Sequence, residues 1–502
     1  MSATATTATT HRNAPVLAFF LLFIGYGLLR FAYQQDSPLS LRPKAPATDP
    51  NSRLYDPSST TPTKFVSLAE FARDAAPGWF LCPPWRAYRW HLNLVSVRSA
   101  YYHPDADRVI LVIYSLVAMR IRDKKWPFRH SCAFFDEHKR HLGTYPGKWY
   151  TGYLFYCGKA AAAVDNSTMH RDGMVVVPKY VYLLRNDMPS VEEAQAAWYL
   201  PVVDLKTRRQ LNGEHTREHE LVVCSGPIMD KQNWLLFLQF FEYYRLHGVT
   251  KFIIPSRLPL GPWSAALLDY YARKGLVEVD ATWRANVPGC YDTSPWHCSA
   301  MTQKAEWVLR SAYKYRYVLM CDFDELLQPA NGSLTLLDFV RQLDKATDYK
   351  HGAFTFRNRY HLTTTAQNAW QPSSILQLQP DYLRTHLPMI SWNNVSGPIH
   401  PAYSPKTIVK PETVKRMWIH SVHSFYNSTR YSSKHLEPTE GIMHHYKNQT
   451  TWADVIQTYY AGYNITDPSL FFEHSFVDKL IDNMTTVLQQ VYQRVYGRLT
   501  AG

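Results

Sequence analysis

A short acidic segment, Asp322-Phe323-Asp324-Glu325, carries the residue types best suited to chemistry in this sequence. Two carboxylates at positions i and i+2, placed where a strand ends and the chain turns, can face the same open edge of a sheet. A hard divalent cation takes several oxygen ligands and readily bridges protein carboxylates to a diphosphate. The segment therefore predicts a metal-assisted site. The competing interpretation is an acidic turn that caps a helix beginning near Leu326.

The bare Asp-x-Asp pattern is weak evidence, because about one copy arises by chance in a chain of this size. A second copy, Asp105-Ala106-Asp107, provides an internal control. It lies in a polar turn with no parallel-strand context, and we reject it as a site. The position of the first copy in the fold, rather than its composition, must carry the argument.

The region before the acidic segment alternates strands with helices. Strands are predicted over residues 220–225, 251–254, 276–280 and 317–321, and helices over residues 231–247, 263–274 and 299–315. Gly248 and Gly275 end the first two helices, as glycine commonly does. This alternation indicates βαβ units and a parallel sheet, which binds ligands beyond the carboxyl ends of its strands. Asp322 directly follows the fourth strand, so the acidic segment lies where a ligand is expected.

The remaining globular sequence divides into two parts. Residues 64–219 are typical of an irregular, strand-rich module, with β-branched runs at residues 108–114 and 173–177. The aromatic stretch over residues 452–496 is typical of helices that pack on the preceding domain. We therefore predict a strand-rich N-terminal module over residues 64–219, followed by an α/β domain with C-terminal helices over residues 220–502.

The N-terminal residues predict a membrane anchor. The uncharged run over residues 15–29, extended to residue 33, is just long enough for a helix across a thin bilayer. A cleaved signal peptide is the competing interpretation, although residues 31–33 do not form a small-x-small cleavage site. The resulting single-pass type II arrangement has a cytosolic tail (residues 1–14), a transmembrane signal anchor (residues 15–33) and a stem rich in Pro, Ser and Thr (residues 34–63).

Glycosylation sequons support a lumenal position for the globular region. Seven Asn-x-Ser/Thr sites follow the anchor: Asn166, Asn331, Asn394, Asn427, Asn448, Asn464 and Asn483. Chance predicts about two such sites. In an oxidising lumen some of the seven cysteines would pair, and Cys290 with Cys298 could close a short loop. The absence of a Cys-x-x-Cys pair makes a zinc site a poor interpretation.

The net charge of +13 favours anionic partners such as nucleotide phosphates, acidic glycans or membrane surfaces. Nucleic acid is not indicated, because no run of five or more Lys and Arg residues occurs. The sequence indicates no oligomeric state.

The order of motifs around the acidic segment resembles glycosyltransferase family 92. Besides Asp322-Phe-Asp-Glu325, the resemblance is carried by Val222-Val-Cys-Ser-Gly-Pro227, Glu242-Tyr-Tyr-Arg-Leu-His-Gly-Val249, Lys406-Thr-Ile-Val-Lys-Pro411 followed by His420 and His423, and His444-His445-Tyr446-Lys447. These motifs span roughly residues 220–450. Lys447 stands where the family has Arg, which keeps the charge but loses the bidentate fork.

The resemblance implies a GT-A fold, an inverting reaction, a nucleoside-diphosphate sugar donor and Mn²⁺ as the cofactor. By the same analogy the donor is UDP-galactose and the acceptor is a glycan. Asp324 would ligate the metal directly, and Asp322 would contact the nucleotide ribose or a metal-bound water. A late histidine would complete the metal shell: His445 is the candidate, and His444 is the adjacent alternative.

Lys406 and Lys447 are the candidates for contacts with the diphosphate. An inverting transfer also needs a general base to deprotonate the acceptor hydroxyl. The candidates for that base are Glu325, Asp381, Glu437 and Glu440. Glu325 has an alternative role in capping or positioning the acidic turn.

The sequence therefore predicts a β-galactosyltransferase of the Golgi membrane, with Asp322, Asp324 and Glu325 in the catalytic centre. A non-catalytic carbohydrate-binding protein with a degenerate transferase fold is the alternative. A glycoside hydrolase fits less well, because its two carboxylates should flank a sugar rather than lie two residues apart.

Overall fold

The computed structural model begins with a region built mainly from strands. Over the whole chain, the structure describes residues 79–80, 86–90, 93–115, 130–151, 153–159, 170–171, 174–175, 177–185, 199–212, 217–226, 234–255, 262–280, 295–363, 372, 375–392, 394–401, 404–448 and 472–496. The predicted tail, anchor and stem lie outside them. Within the described ranges, no helix is long and apolar enough to cross a membrane.

The elements before residue 213 are β1 (Trp79–Phe80), β2 (Arg86–Trp90), β3 (Asn93–His103), β4 (Arg108–Ser115), β5 (His130–Phe135), β6 (His141–Pro146), β7 (Lys148–Thr151), β8 (Leu154–Lys159), β9 (His170–Arg171), β10 (Met174–Val175), β11 (Tyr180–Arg185), β12 (Leu200–Asp204) and α1 (Leu205–Asn212). Most of these strands form one sheet in the order β6-β5-β11-β12-β3-β4-β8-β7, with β2 beside β3. A disulfide between Cys132 and Cys157 links β5 to β8. The loop predicted between Cys290 and Cys298 lies outside the described side chains.

The alternating region forms the parallel sheet that the sequence predicts. Its elements are β13 (His219–Ser225), α2 (Trp234–Leu246), β14 (Lys251–Pro255), α3 (Pro262–Arg273), β15 (Val277–Asp280), α4 (Pro295–Ser311) and β16 (Tyr315–Cys321). The four strands lie in the order β15-β14-β13-β16. Along the chain, β14 and β15 are added on one side of β13, and β16 is then added on its other side. The switch point between β13 and β16 is where such a sheet opens to receive a ligand.

Apolar side chains point to both faces of β13, and helices cover both faces of this sheet. Leu221 and Val223 pack with residues of α2 and α3 in one core. Val222 and Cys224 pack on the opposite face, where α4 contributes Trp307. Side chains of successive strand residues point to opposite faces, so a strand buried on both faces reads as a continuous apolar run.

The remaining elements are β17 (Glu325–Pro329), α5 (Leu336–Ala346), β18 (His351–Phe356), β19 (Asn358–Thr363), a 3-10 helix (Ile375–Leu378), α6 (Pro380–His386), α7 (Pro388–Ser391), β20 (Asn394–Val395), β21 (Lys406–Val409), a 3-10 helix (Pro411–Thr413), β22 (Val414–Met417), β23 (Val422–Phe425), β24 (Ser432–His435), β25 (Gly441–Asn448) and α8 (His474–Tyr496). Strands β21, β18 and β24 extend the large sheet beyond β16. A second sheet has the order β17-β25-β19-β20.

The helix considered for the residues after the acidic segment does not form. That interpretation was wrong, because Glu325–Pro329 is β17 and pairs antiparallel with β25, Glu325 lying opposite His445. The helix nearest in sequence is α5, which begins after its N-cap Thr335, whose side chain accepts a hydrogen bond from the Asp338 backbone. The acidic segment is therefore a strand-to-strand turn.

The strand-rich region and the α/β region share a core. Tyr101, Ile110 and Leu154 pack against Ala305 and Leu309 of α4. The short strand β1 also pairs in parallel with β15 and thereby joins the large sheet. Residues 64–502 accordingly form one compact unit.

Candidate active site

The acidic turn presents its two aspartates outward and anchors its other residues inside. The side chains of Asp322 and Asp324 are 40% and 24% exposed, whereas Glu325 is 0% exposed. Phe323 is buried against Phe237 and Phe240 of α2, with ring centroids 4.9 and 4.8 Å apart. The buried ring fixes the turn, so the two carboxylates face the open carboxyl edge of the sheet.

Gly226 makes room for Asp322 at the switch point. It follows β13 as Asp322 follows β16, and Ser225 is the register partner of Cys321. A Cβ atom on Gly226 would lie 2.4 Å from Asp322 Oδ1, which is closer than any real contact. Only glycine lets the Asp322 carboxylate occupy this position beside the neighbouring strand.

Glu325 stabilises the acidic turn through contacts of its buried side chain. Its Oε2 accepts a hydrogen bond of 2.7 Å from the Asp322 backbone N–H. Its Oε1 lies 2.9 Å from Lys406 Nζ and 3.3 Å from His445 Nδ1. Because the side chain is fully buried, an acceptor hydroxyl does not reach it. The geometry favours the positioning role for Glu325 over that of general base.

His445 reaches the acidic turn from β25. Its Nε2 lies 3.5 Å from Asp324 Oδ1. Both ring nitrogens are buried, and among the described residues neither has a hydrogen-bond partner. One ligand atom each from Asp324, Glu325 and His445 lies within 4.8 Å of the others. Two carboxylate oxygens and an imidazole nitrogen suit a divalent cation such as Mn²⁺, so these residues fit a metal site.

His444 faces the other side of the same strand. Its Nδ1 lies 2.7 Å from His361 Nε2, and its Nε2 lies 2.8 Å from Gln328 Oε1. Burial holds the pKa of His444 well below its ordinary value. The neutral ring belongs to a buried hydrogen-bonded chain, so His445 rather than His444 is the histidine at the turn.

The two lysines predicted to contact a diphosphate are paired with the aspartates. Lys406 Nζ lies 2.9 Å from Asp322 Oδ2, and the Lys406 side chain is 3% exposed. Lys447 Nζ lies 2.6 Å from Asp324 Oδ2, and the Lys447 side chain is 22% exposed. Each aspartate thus has its own ammonium partner.

These ion pairs keep the turn charged. Burial alone would raise the pKa values of Asp322 and Asp324. Lys406 and Lys304 together outweigh burial at Asp322, and Lys447 and His445 together outweigh it at Asp324, so both pKa values lie below the ordinary range. Burial alone would lower the pKa of Lys406, but Asp322 and Glu325 raise it. The carboxylates are therefore ionised at neutral pH, as metal ligation requires.

The other general-base candidates lie elsewhere. Asp381 is exposed on α6. Glu437 pairs with Arg357 at 3.7 Å and Glu440 with Lys434 at 2.8 Å. Across the described part of the chain, no contact links these three carboxylates to the acidic turn.

Two residues near the turn were missed or undervalued from sequence. Lys304 of α4 is 6% exposed and acts electrostatically on Asp322. A signal existed, because its helical neighbours at i−3, i+3 and i+4 are Met301, Trp307 and Val308, which place it on an apolar stripe. His420, noted only as part of a family pattern, is also electrostatically coupled to Asp322.

The fold and site define an α/β protein with a charged, metal-ready turn at the switch point of a parallel sheet. The sequence model described as glycosyltransferase family 92 matches residues 219–492, more than half of the chain. The chain therefore belongs to glycosyltransferase family 92, which confirms the family prediction and makes it a glycosyltransferase. No curated protein matches the sequence.

Proposed function

We propose that this chain is an inverting, metal-dependent β-galactosyltransferase that moves galactose from UDP-galactose to a glycan acceptor. The carrying observation is the group formed by Asp324, Glu325 and His445, with both imidazole nitrogens unbonded between carboxylates. The strand order and the turn at the switch point support a GT-A type fold. The galactosyl donor rests on the family resemblance.

The proposed cofactor is Mn²⁺, held by Asp324 and His445 with Glu325 beneath them. When bound, the ion would offset the negative charge that develops on the leaving nucleotide diphosphate. The chain's own residues prepare the site: Lys406 and Lys447 keep both aspartates ionised, and Gly226 leaves space for Asp322.

The proposed location is the Golgi lumen, with the chain anchored as a type II membrane protein. The Cys132–Cys157 disulfide supports an oxidising compartment. Among the sequons, Asn331 and Asn427 are exposed, as glycan addition requires. The predicted anchor at residues 15–33 would place the acidic turn among glycans in transit.

The test is a donor screen on the purified full-length chain. We expect hydrolysis of UDP-galactose, or transfer to a glycan panel, with Mn²⁺ present and a loss of turnover in EDTA. Turnover that persists in EDTA would contradict the metal assignment. A preference for another UDP-sugar would replace galactose as the donor. Glycan binding without turnover of any donor would favour the non-catalytic alternative.

A further inference from the structure

Lys304 is a buried cation that directly contacts no anionic group among the described residues. It lies in α4 with 6% of its surface exposed, and its ammonium is 5.3 Å from the Trp307 ring centroid. Within the described ranges, Lys304 makes no hydrogen bond and no ion pair shorter than 4 Å. Lys406 and Lys447, in contrast, each contact a carboxylate of the turn.

A poorly exposed ammonium without a direct anionic partner is unfavourable, so its retention calls for an explanation. Burial lowers the pKa of Lys304, and Asp322 provides the largest opposing influence. Asp322 already has a direct counter-ion in Lys406 at 2.9 Å. Lys304 also lowers the pKa of Asp322, but less than Lys406 does and without a direct contact, so its ammonium stays available to another anion.

His420 adds a ring nitrogen without a hydrogen-bond partner among the described residues. It follows β22, and its backbone carbonyl accepts a hydrogen bond of 2.9 Å from Thr407 Oγ1, next to Lys406. Its Nδ1 is buried, and in the part of the chain that the structure describes it has no partner. The charges that act on its ring include Lys406, Lys304 and Asp322.

The formal charges around the acidic turn indicate the charge of a suitable ligand. Three carboxylates and three ammonium groups surround the turn: Asp322, Asp324, Glu325, Lys304, Lys406 and Lys447. The group is neutral by itself, so a bound divalent cation leaves it with an excess of about two positive charges. A nucleoside diphosphate sugar carries about two negative charges on its phosphates and restores the balance.

We propose that Lys304 and His420 form a phosphate-binding subsite beside Asp322, which receives the diphosphate of the nucleotide donor. This subsite rests on the proposed function. Lys304 supplies the charge, because its ammonium is the one not already paired with the turn. His420 supplies a neutral imidazole that hydrogen-bonds a phosphate oxygen through its N–H.

The experiment compares the binding of uridine and UDP to the full-length chain at fixed Mn²⁺, by isothermal titration calorimetry. Lys304→Met should raise the Kd for UDP at least about tenfold and leave the Kd for uridine unchanged, because uridine has no phosphates. Lys304→Arg keeps the charge and should retain most of the UDP affinity. His420→Gln should weaken UDP binding by a smaller factor.

Lys251→Met is the matched control. Lys251 is also a poorly exposed lysine, with a side chain 13% exposed, but it begins β14 at the opposite edge of the sheet and donates a hydrogen bond to the Gly275 carbonyl at 2.8 Å. Its substitution should leave both Kd values unchanged. Thermal unfolding without ligand provides a second readout: Lys304→Met should melt no lower than the wild type, since it removes an unpaired buried charge.

The outcomes separate the two proposals. Equal UDP affinity in Lys304→Met and the wild type would overturn the subsite alone. So would an equal loss of uridine and UDP affinity with a lower melting temperature, which would make Lys304 a structural residue. A wild type that binds no UDP would contradict the nucleotide donor itself, and the subsite with it.

Discussion

The chain contains the same three-residue pattern twice, in surroundings that share almost nothing. Asp105-Ala106-Asp107 connects β3 to β4, an antiparallel pair. There Asp105 accepts hydrogen bonds from Arg209 and Tyr313, at 3.1 and 3.0 Å. Every described contact of Asp105 is thus an ordinary surface or packing contact.

The turn at Asp322 lies instead between a parallel strand and β17, where three further strands bring residues to it. Gly226 comes from the end of β13, Lys406 from β21 and His445 from β25. Two aspartates become a candidate site only when the topology supplies a histidine, counter-charges and open space beside them. The difference between the two turns therefore lies in their neighbours.

The largest expected effect comes from neutralising Asp324, and the same change in the other turn is its control. Asp324→Asn should lower turnover about 10²- to 10³-fold, because it weakens a proposed metal ligand and leaves Lys447 without its carboxylate. Asp107→Asn is the matched change, and it should alter turnover less than about twofold. Asn suits that position, since Asp107 has a φ of 48°. Steady-state kinetics decide the comparison, and similar losses in both variants would break it.

The next effect separates the two histidines of β25. His445→Ala should weaken Mn²⁺ binding by about 10- to 100-fold, with little change in stability. His444→Ala should retain more metal affinity but destabilise the fold by about 1–3 kcal/mol, because Gln328 and His361 lose a buried partner. Metal titration and denaturant unfolding of both variants provide the measurement. Weaker metal binding in His444→Ala than in His445→Ala would reassign the ligand.

A smaller effect is expected from filling the space beside Asp322. Gly226→Ala places a methyl group 2.4 Å from Asp322 Oδ1, so the carboxylate must leave the position in which Lys406 now contacts it. A displaced catalytic group commonly lowers turnover by about tenfold or more. The melting temperature should change little, because only the end of one side chain needs to shift. Wild-type kinetics in this variant would show that the position of Asp322 is not critical.

The smallest effect is expected at the turn formed by Asp105-Ala106-Asp107. Asp105→Asn removes an ion pair with Arg209 whose side chains are 42% and 54% exposed. Exposed pairs of this kind contribute about 0–1 kcal/mol. Unfolding in denaturant should show a change within that range, with unaltered turnover. A larger loss of stability would mean that Asp105 also holds α1 or Tyr313 in place.

Local patterns were sufficient to predict the parallel sheet. The predicted strands and helices from residue 220 to 321 agree with β13 to β16 within a few residues, because apolar runs and C-terminal glycines are local signals. The stretch after the acidic turn could not be predicted in this way. Glu325–Pro329 forms a strand because it pairs with β25, and that partner lies far along the chain.

The site was predicted in part, for the same physical reason. Asp322, Asp324 and His445 were found through motifs, and the structure brings them together. The pairing of Lys406 and Lys447 with the aspartates depends on tertiary distances that no motif contains. Lys304 was missed because a lysine in a helix is usually solvated, although its position on an apolar stripe of α4 indicates the burial that the structure shows.

The pairing of β17 with β25 has a consequence for how the protein is made. The acidic turn leaves the ribosome about 120 residues before the strand that carries His445 and Lys447. Until β25 is synthesised and joins β17, the nascent chain holds its aspartates without Lys447 and without the histidine. A chain truncated before Gly441 would retain the strands of the parallel sheet but not the ability to assemble the metal group. Assembly of the proposed metal group thus waits for β25, which is the last strand among the described residues.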